Sequence, residues 1–245
     1  MQSHKKKKII KVTETNNAEV EDIIAEEKRL RISVNGKEAL LADPGGAEVF
    51  PDVFSAIAAE LDPGQIKWLF ASHQDPDIIS SLGLWLDFNR DIRCYLSWLW
   101  ATFIPHFGGN DQTFISIPDE GMPIPLGNLI LDAVPAHYLH SSGNLHLYDR
   151  KAKILFSGDV GAALLPQGED AGLFVTDFDR HIRHAEAFHR RWMGSNRAKQ
   201  NWCERVSKLE IDMLCPQHGA IYQGQDVERF INWFSELEVG TGIPG

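Results

Sequence analysis

The densest run of potential metal ligands is Ala71-Ser-His73-Gln-Asp75-Pro-Asp77-Ile78, which follows directly on the apolar stretch 66–70. An imidazole and two carboxylates stand at alternate positions on what reads as a loop beyond a strand end. A helix would scatter them, because residues two apart on a helix face different directions; Pro76 and a turn let the chain curl back and bring them together. Taken alone, His-x-Asp-x-Asp is equally an acidic turn capping the next helix. Three further stretches change that balance. His137-Tyr-Leu-His140-Ser-Ser-Gly-Asn144 precedes a strand-like segment, Ile154-Leu-Phe-Ser-Gly-Asp159 ends a strand in an acid, and Met213-Leu-Cys-Pro-Gln-His218-Gly219 ends an apolar run in His-Gly. Each sets a ligand-type residue at a strand terminus, where the loops of layered α/β folds build sites.

The elements that must position these loops alternate along the chain. Residues 30–34 and 38–43 flank Asn35-Gly36, the dipeptide favoured in a tight hairpin. Apolar residues at helical spacing over 49–61 lie between Asp43-Pro-Gly-Gly46 and Asp62-Pro-Gly64. Strands are expected at 66–71, 91–96, 128–134, 146–149 and 153–156, helices at 78–88 and 226–237, and a polar helix-favouring block at 178–208. Strands interleaved with helices and hairpins indicate an α/β layered architecture rather than a bundle or an all-β sandwich. No repeat or long linker divides it, so the expectation is one domain over 25–245, preceded by a tail or edge segment over 1–24.

Composition bounds the function. Of 245 residues, 43% are apolar, enough for a substantial core, and 34 acidic against 24 basic residues give a formal charge of −10. That balance argues against nucleic acid or an anionic membrane as the main partner, and reads the lysines at 5–8 as a solvated tail. No apolar stretch reaches the roughly 20 residues of a spanning helix, and the N-terminus has no apolar core of a secretory signal. Cys94, Cys203 and Cys215 form no C-x-x-C pair, as expected of free thiols in a reducing cytoplasm.

The order His-x-acid-x-Asp, then His, then Ser-Gly-Asp, then His-Gly resembles the metallo-β-lactamase superfamily over 30–222, and the resemblance implies its αββα sandwich. Hydrolytic zinc members show His-x-His-x-Asp-His. Here the middle position is Asp75, and a carboxylate there is similar to the flavodiiron branch, whose core has His-x-Glu-x-Asp-His and binds two irons. Carried over position by position, the resemblance implies that His73, Asp75 and His140 hold one iron, Asp77 and His218 the other, and that Asp159 bridges them. His140 fits the family frame better than His137, three residues earlier. Three carboxylates and three imidazoles make a hard N/O donor set suited to iron or manganese, with zinc open because affinity alone seldom selects the metal.

Three departures from that pattern matter. Ile78 stands where the family has a further histidine, leaving one protein ligand fewer at the second metal. Asp75 is one methylene shorter than the family's glutamate. The chain after His218 offers no room for the flavodoxin domain that supplies electrons in the usual enzymes, so the expectation is a dioxygen-binding di-iron protein, either an oxygen sensor or carrier or an O2 or NO reductase fed by an external donor; if it is an enzyme, it is an oxidoreductase. A signalling partner and a homodimer are further expectations from the resemblance. The competing readings are a di-zinc hydrolase of the same fold acting on an ester, thioester or phosphodiester, and a metal-free scaffold acting through protein contacts.

Other conspicuous residues receive plainer readings. His181, His184 and His189, among four arginines, read as a solvated basic face. His106 and His146 read as satisfied or exposed, with His146 open to a supporting role behind the ligands. Cys215 reads as a buried thiol, Trp85, Trp98, Trp100 and Trp202 as core or interface, and Tyr138 and Tyr222 as packing. Asp43 reads as a turn or supporting residue, and Gly158 and Gly219 as points of close backbone approach.

Overall fold

The computed structural model describes residues 9–13, 20–25, 31–110, 112–167, 169 and 172–242, so Leu30 and the lysines at 5–8 lie outside the described residues. Within the stretch expected as tail or edge segment, β1 (Ile9–Thr13) and β2 (Val20–Ala25) pair antiparallel, and β2 continues onto β3 (Arg31–Asn35). Gly36, at φ +61°, makes the tight turn from β3 into β4 (Glu38–Ala42), a conformation that costs glycine little.

From β4 onward the pairing turns parallel. α1 (Phe50–Ala58) crosses to β5 (Ile66–Phe70), α2 (Pro76–Ile79) and α3 (Leu82–Phe88) cross to β6 (Arg93–Ser97), and β7 (Phe114–Ile117) completes a seven-stranded sheet. The second sheet holds β8 (Met122–Leu126), β9 (Leu129–Pro135), β10 (Leu145–Asp149), β11 (Ile154–Phe156), β12 (Met213–Cys215) and β13 (Tyr222–Gln223), in the order β13-β12-β11-β10-β9-β8. α4 (Phe178–Trp192), α5 (Asn196–Val206) and α6 (Gln225–Glu236) cover its outer face.

The period-2 geometry of the strands explains three apolar layers. In β4, Leu40 and Ala42 enter the core between the sheets with Phe70, Leu131, Leu147 and Phe156, whereas Ala39 and Leu41 face the helical side with Ile57, Leu69 and Trp85. The third cluster places Leu155, Trp202, Phe230 and Phe234 between the second sheet and α4 to α6. Helix, sheet, sheet and helix layers make the αββα sandwich expected from the sequence.

Several elements differ from expectation. The helix expected over 78–88 breaks at Ser80 and Ser81, whose hydroxyls serve other backbone groups: Ser80 Oγ accepts from Ala47 N at 3.0 Å and Ser81 Oγ donates to Pro44 O at 3.2 Å. The block at 178–208 is two helices, because Ser195 caps a new one by accepting from Ala198 N. β7 and β8 were not expected. The polypeptide bends that matter for function all emerge at one edge: the ends of β5, β11 and β12 and the β9–β10 connection. Leu145 N donates to Ser72 O at 2.9 Å, across the two sheets, and Gln217 N to Gly158 O at 2.6 Å, between neighbouring strand ends of the second sheet, which ties these loops to one another.

Candidate metal centre

At that edge four of the six expected ligands meet. His140 Nε2 lies 3.2 Å from His73 Nε2, 3.0 Å from Asp159 Oδ2 and 3.3 Å from Asp75 Oδ2. His73 Nε2 lies 3.5 Å from Asp159 Oδ2 and 3.6 Å from Asp75 Oδ2. One donor atom of each of these four residues falls within 4.8 Å of the others. Bonds of about 2.1 Å to a common ion separate neighbouring donors by about 3.0 Å at octahedral corners and about 3.4 Å at tetrahedral ones, so the spacing fits a metal. The donor set fits too: imidazole and carboxylate, with no thiolate.

Asp77 and His218 form the adjoining, more open part. His218 Nε2 is 3.2 Å from Asp77 Oδ2 and 3.8 Å from Asp159 Oδ1, and both side chains are about half exposed. Asp159 therefore turns Oδ2 to His73 and His140 and Oδ1 to His218. That Oδ1 is buried without a hydrogen-bond partner, and an orphaned carboxylate oxygen in such a place calls for a cation. Ile78 is fully buried in the helical-side core and turned to packing.

The electrostatics of the cluster are those of tightly apposed opposite charges. Burial works against a charge on His73, but hydrogen bonds with Asp159 and Asp75 outweigh it and raise its proton affinity from 6.5 to about 10. His140 is raised in the same way, burial again opposing and Asp159 and Asp75 prevailing. Hydrogen bonds from His140 and His73 hold Asp75 well below the usual carboxylate range. For Asp159, burial pushes upward and the same two imidazoles pull it further down.

Local structure explains how each ligand is held. His73 is buried, and its Nδ1 lies 2.9 Å from Ser72 Oγ, leaving Nε2 toward the cluster. Ser72 N in turn donates to Asp43 Oδ1 at 2.8 Å, which gives Asp43 the supporting place expected of it. Asp75 precedes α2 without capping it through its side chain, so Oδ2 can turn to the site. Gly158, at φ +50°, keeps a Cβ from pressing on Ser72 Oγ at 3.1 Å.

His137 is directed elsewhere: its Nε2 contacts Asp119 O at 2.9 Å, and Trp98 Nε1 donates to Asp119 Oδ1 at 2.7 Å. Two residues with roles here carried no signal of ligand type. Gln74 joins the two ligand loops, donating from Nε2 to Asp75 Oδ1 at 3.1 Å and accepting from Ser141 Oγ at 2.6 Å. Trp192, about half exposed, packs edge-on against His140 at 5.2 Å, with Phe188 beside it at 6.1 Å. The sequence showed only a polar residue between two ligands and an aromatic on a basic helix.

The histidines of α4 correct one expectation. His181 and His189 are buried rather than solvated, because α4 lays them against the second sheet. Tyr138 is exposed rather than packed. His146 is wholly buried, accepts from Trp202 Nε1 at 3.2 Å and is lowered to about 3, chiefly by burial. All three cysteines are buried and unpaired with one another.

With this geometry in view, the comparisons with known proteins are specific. The chain is 37% identical to a structure described as the apo state of the chemotaxis sensor ODP from T. denticola, covering 96% of each chain with a TM-score of 0.87. It is equally 37% identical to one described as a peroxy diiron species of chemotaxis sensor ODP, covering 95% of this chain and 96% of that one at 0.85. A flavodiiron protein from Giardia intestinalis shares the fold at 16% identity and a TM-score of 0.75, over 95% of this chain and 60% of its own. An uncharacterised protein of Methanocaldococcus jannaschii is 24% identical over 216 residues, 82% of this chain and 51% of that one, so the chain spans about half the length of that curated relative. The model of the ODP family beta lactamase matches residues 28–219, most of the chain. The chain belongs to the ODP family beta lactamase group, within the metallo-β-lactamase fold.

Proposed function

We propose that this chain is a non-haem di-iron protein that binds dioxygen and works as an oxygen sensor. The observation that carries the reading is the convergence of His73, Asp75, His140 and Asp159 on one point, with an Asp159 oxygen that lacks a hydrogen bond turned toward His218, itself paired with Asp77. In this reading His73, Asp75 and His140 hold one iron, Asp77 and His218 the other, and Asp159 both. The identity of 37% over nearly the whole chain to structures described as a chemotaxis sensor supports the sensing role over turnover.

When bound, the two irons supply the electrons that dioxygen accepts. The protein's own groups orient and shield. Ser72 holds the His73 ring through Nδ1, Gln74 holds one oxygen of Asp75, and Phe188 and Trp192 wall the ring of His140 from water. Burial of His73 and Asp159 strengthens the charge interactions they make, while the half-exposed Asp77 and His218 leave the second position accessible to a small ligand.

The chain acts as a single domain over 25–245, with 1–24 as tail or edge segment, in the cytoplasm, where three unbridged thiols are stable. No described helix is long and apolar enough to cross a membrane. A homodimer and a separate signalling partner or electron donor complete the proposal. The test is metal analysis followed by anaerobic reduction and oxygen titration watched by optical absorption. Two irons per chain and a visible band that appears with oxygen and bleaches on reduction are expected; colourless, zinc-loaded protein with hydrolytic turnover overturns the reading.

A further inference from the structure

We infer that His189 and Tyr222 are positioning residues that pin Gly161 through its N–H and its carbonyl, fixing the two peptide groups that flank it, and thereby hold the Asp159 carboxylate in the metal centre. The inference rests on the reading of Asp159 as a metal ligand. Gly161 follows Asp159 by two residues and sits at φ +99°, where a Cβ would lie 2.9 Å from Leu214 Cδ2, so only glycine makes this bend without displacement. Its N–H donates to His189 Nε2 at 3.0 Å, and its carbonyl accepts from Tyr222 Oη at 3.1 Å.

Both partners are wholly buried, and neither belongs to the ligand set. The second nitrogen of His189, Nδ1, lies 2.7 Å from Ala185 O. A carbonyl only accepts, so Nδ1 carries the proton and the lone pair of Nε2 is the one turned to Gly161. The ring cannot rotate away, being enclosed by Phe188, Phe230, Trp233 and Phe234 with centroids at 5.1–5.8 Å. Burial lowers its proton affinity to about 4, which keeps the acceptor form.

The pinned peptide has little slack through which to lose its hold on Asp159. Val160 N donates to Ser157 O at 2.9 Å, Ala162 N to Asp159 O at 3.1 Å, and Ser157 Oγ to Val160 O at 2.6 Å. A shift at Gly161 therefore passes to Asp159 through a closed turn. The same stretch of α4 sets Phe188 and Trp192 on the ring of His140, so one helix face governs two of the ligands. An apolar residue at 189 would fill the same aromatic cage but would neither accept the Gly161 N–H nor donate to Ala185 O within its own helix, and of these two bonds only the first reaches the segment that carries Asp159.

The experiment uses the full chain loaded anaerobically with ferrous iron. It compares His189→Leu, His189→Gln and Tyr222→Phe with Val206→Ala, a core substitution in the same apolar cluster whose side chain makes no hydrogen bond. Iron release to a chelator and hydrogen exchange at the Gly161 amide in the metal-free chain are read for each. Loss of such a supporting partner typically costs 10–100-fold in metal affinity. His189→Leu should release iron roughly tenfold faster and exchange the Gly161 amide faster. His189→Gln, whose Oε1 can accept the same N–H, should recover most of both, and Val206→Ala should leave both near wild type at comparable loss of thermal stability. Iron release from His189→Leu no faster than from Val206→Ala overturns the inference and leaves the proposed function standing. Wild-type protein that takes up no iron overturns both. Should His189→Leu fail to fold, Tyr222→Phe, which removes one hydroxyl, decides by the same two readouts.

Discussion

Gln74 donates from Nε2 to Asp75 Oδ1 at 3.1 Å while the other oxygen of Asp75, Oδ2, faces His140 Nε2 at 3.3 Å. The carboxylate is thereby divided: one oxygen belongs to the scaffold and one to the site. Because Gln74 Oε1 also accepts from Ser141 Oγ, the amide fastens the His73 loop to the His140 loop. Gln74→Leu should weaken metal binding by about tenfold, in the range found when groups behind the ligands are removed, with little effect on the fold. Competition against a chelator of known affinity reads the change, and an unaltered affinity would show that Asp75 needs no such restraint.

Protons compete with metal at this centre, and the direction of the pH effect follows from the shifts. His73 in the folded chain is raised from 6.5 to about 10, burial opposing and Asp159 and Asp75 prevailing, and His140 is raised as well. A group raised on folding stabilises fully below its unfolded value, and that contribution disappears as pH climbs from 6.5 through about 10. The depressed Asp75 and Asp159 contribute above about 3.8 and lose it as pH falls. Metal-free protein should therefore melt at lower temperature at pH 10 than at pH 6.5. Metal uptake near pH 7.5 should release roughly one to two protons, so that affinity rises across the same window. Calorimetry in buffers of different ionisation enthalpy counts them; a pH-independent affinity would contradict the charge assignment.

The two halves of the site should also separate by mutation. The inner tetrad keeps four donors without His218, whereas the outer position has Asp77, His218 and the second oxygen of Asp159. His218→Ala should lower the metal content from about two ions per chain toward about one, as expected for loss of one ligand from a sparse, open site, and Asp159→Asn should lower both. Metal stoichiometry after desalting distinguishes the cases, and a His218→Ala protein with full content would refute the division.

Which parts were legible in the sequence depended on how local their cause was. His73, Asp75, Asp77, Asp159 and His218 could be singled out because each stands in a short motif at the end of an apolar strand, and Asn35-Gly36 announces its own turn. β8 escaped because Pro123 and Pro125 argue against a strand; they are accommodated because β8 is the edge of its sheet and pairs only with β9. His189 and His181 read as a solvated face because their neighbours are arginines, and only the packing of α4 on the second sheet turns them inward. Gln74 was silent for a different reason: its partner Ser141 is 67 residues away, and nothing local marks that bond.

The last prediction concerns the turn that delivers His218. Gly219 sits at φ +90°, and a Cβ there would lie 2.8 Å from Ala163 N and 2.9 Å from Ala163 Cβ. Neither is the end of a flexible side chain, so Gly219→Ala must displace backbone as well as adopt a conformation unfavourable to any L side chain. The backbone at stake is specific, because Ala163 N donates to His218 O at 3.2 Å. Moving it separates the His218 segment from the segment that follows Asp159, the two sides of the shared carboxylate. Gly219→Ala should cost about 2–3 kcal/mol of stability, the sum of strain and displacement, and should also deplete the outer metal, as His218→Ala does. The two effects are separable: melting of the metal-free chain reads the first, and metal content at a temperature well below the transition reads the second. Loss of stability with full metal content would mean that the turn shapes the fold but does not aim His218.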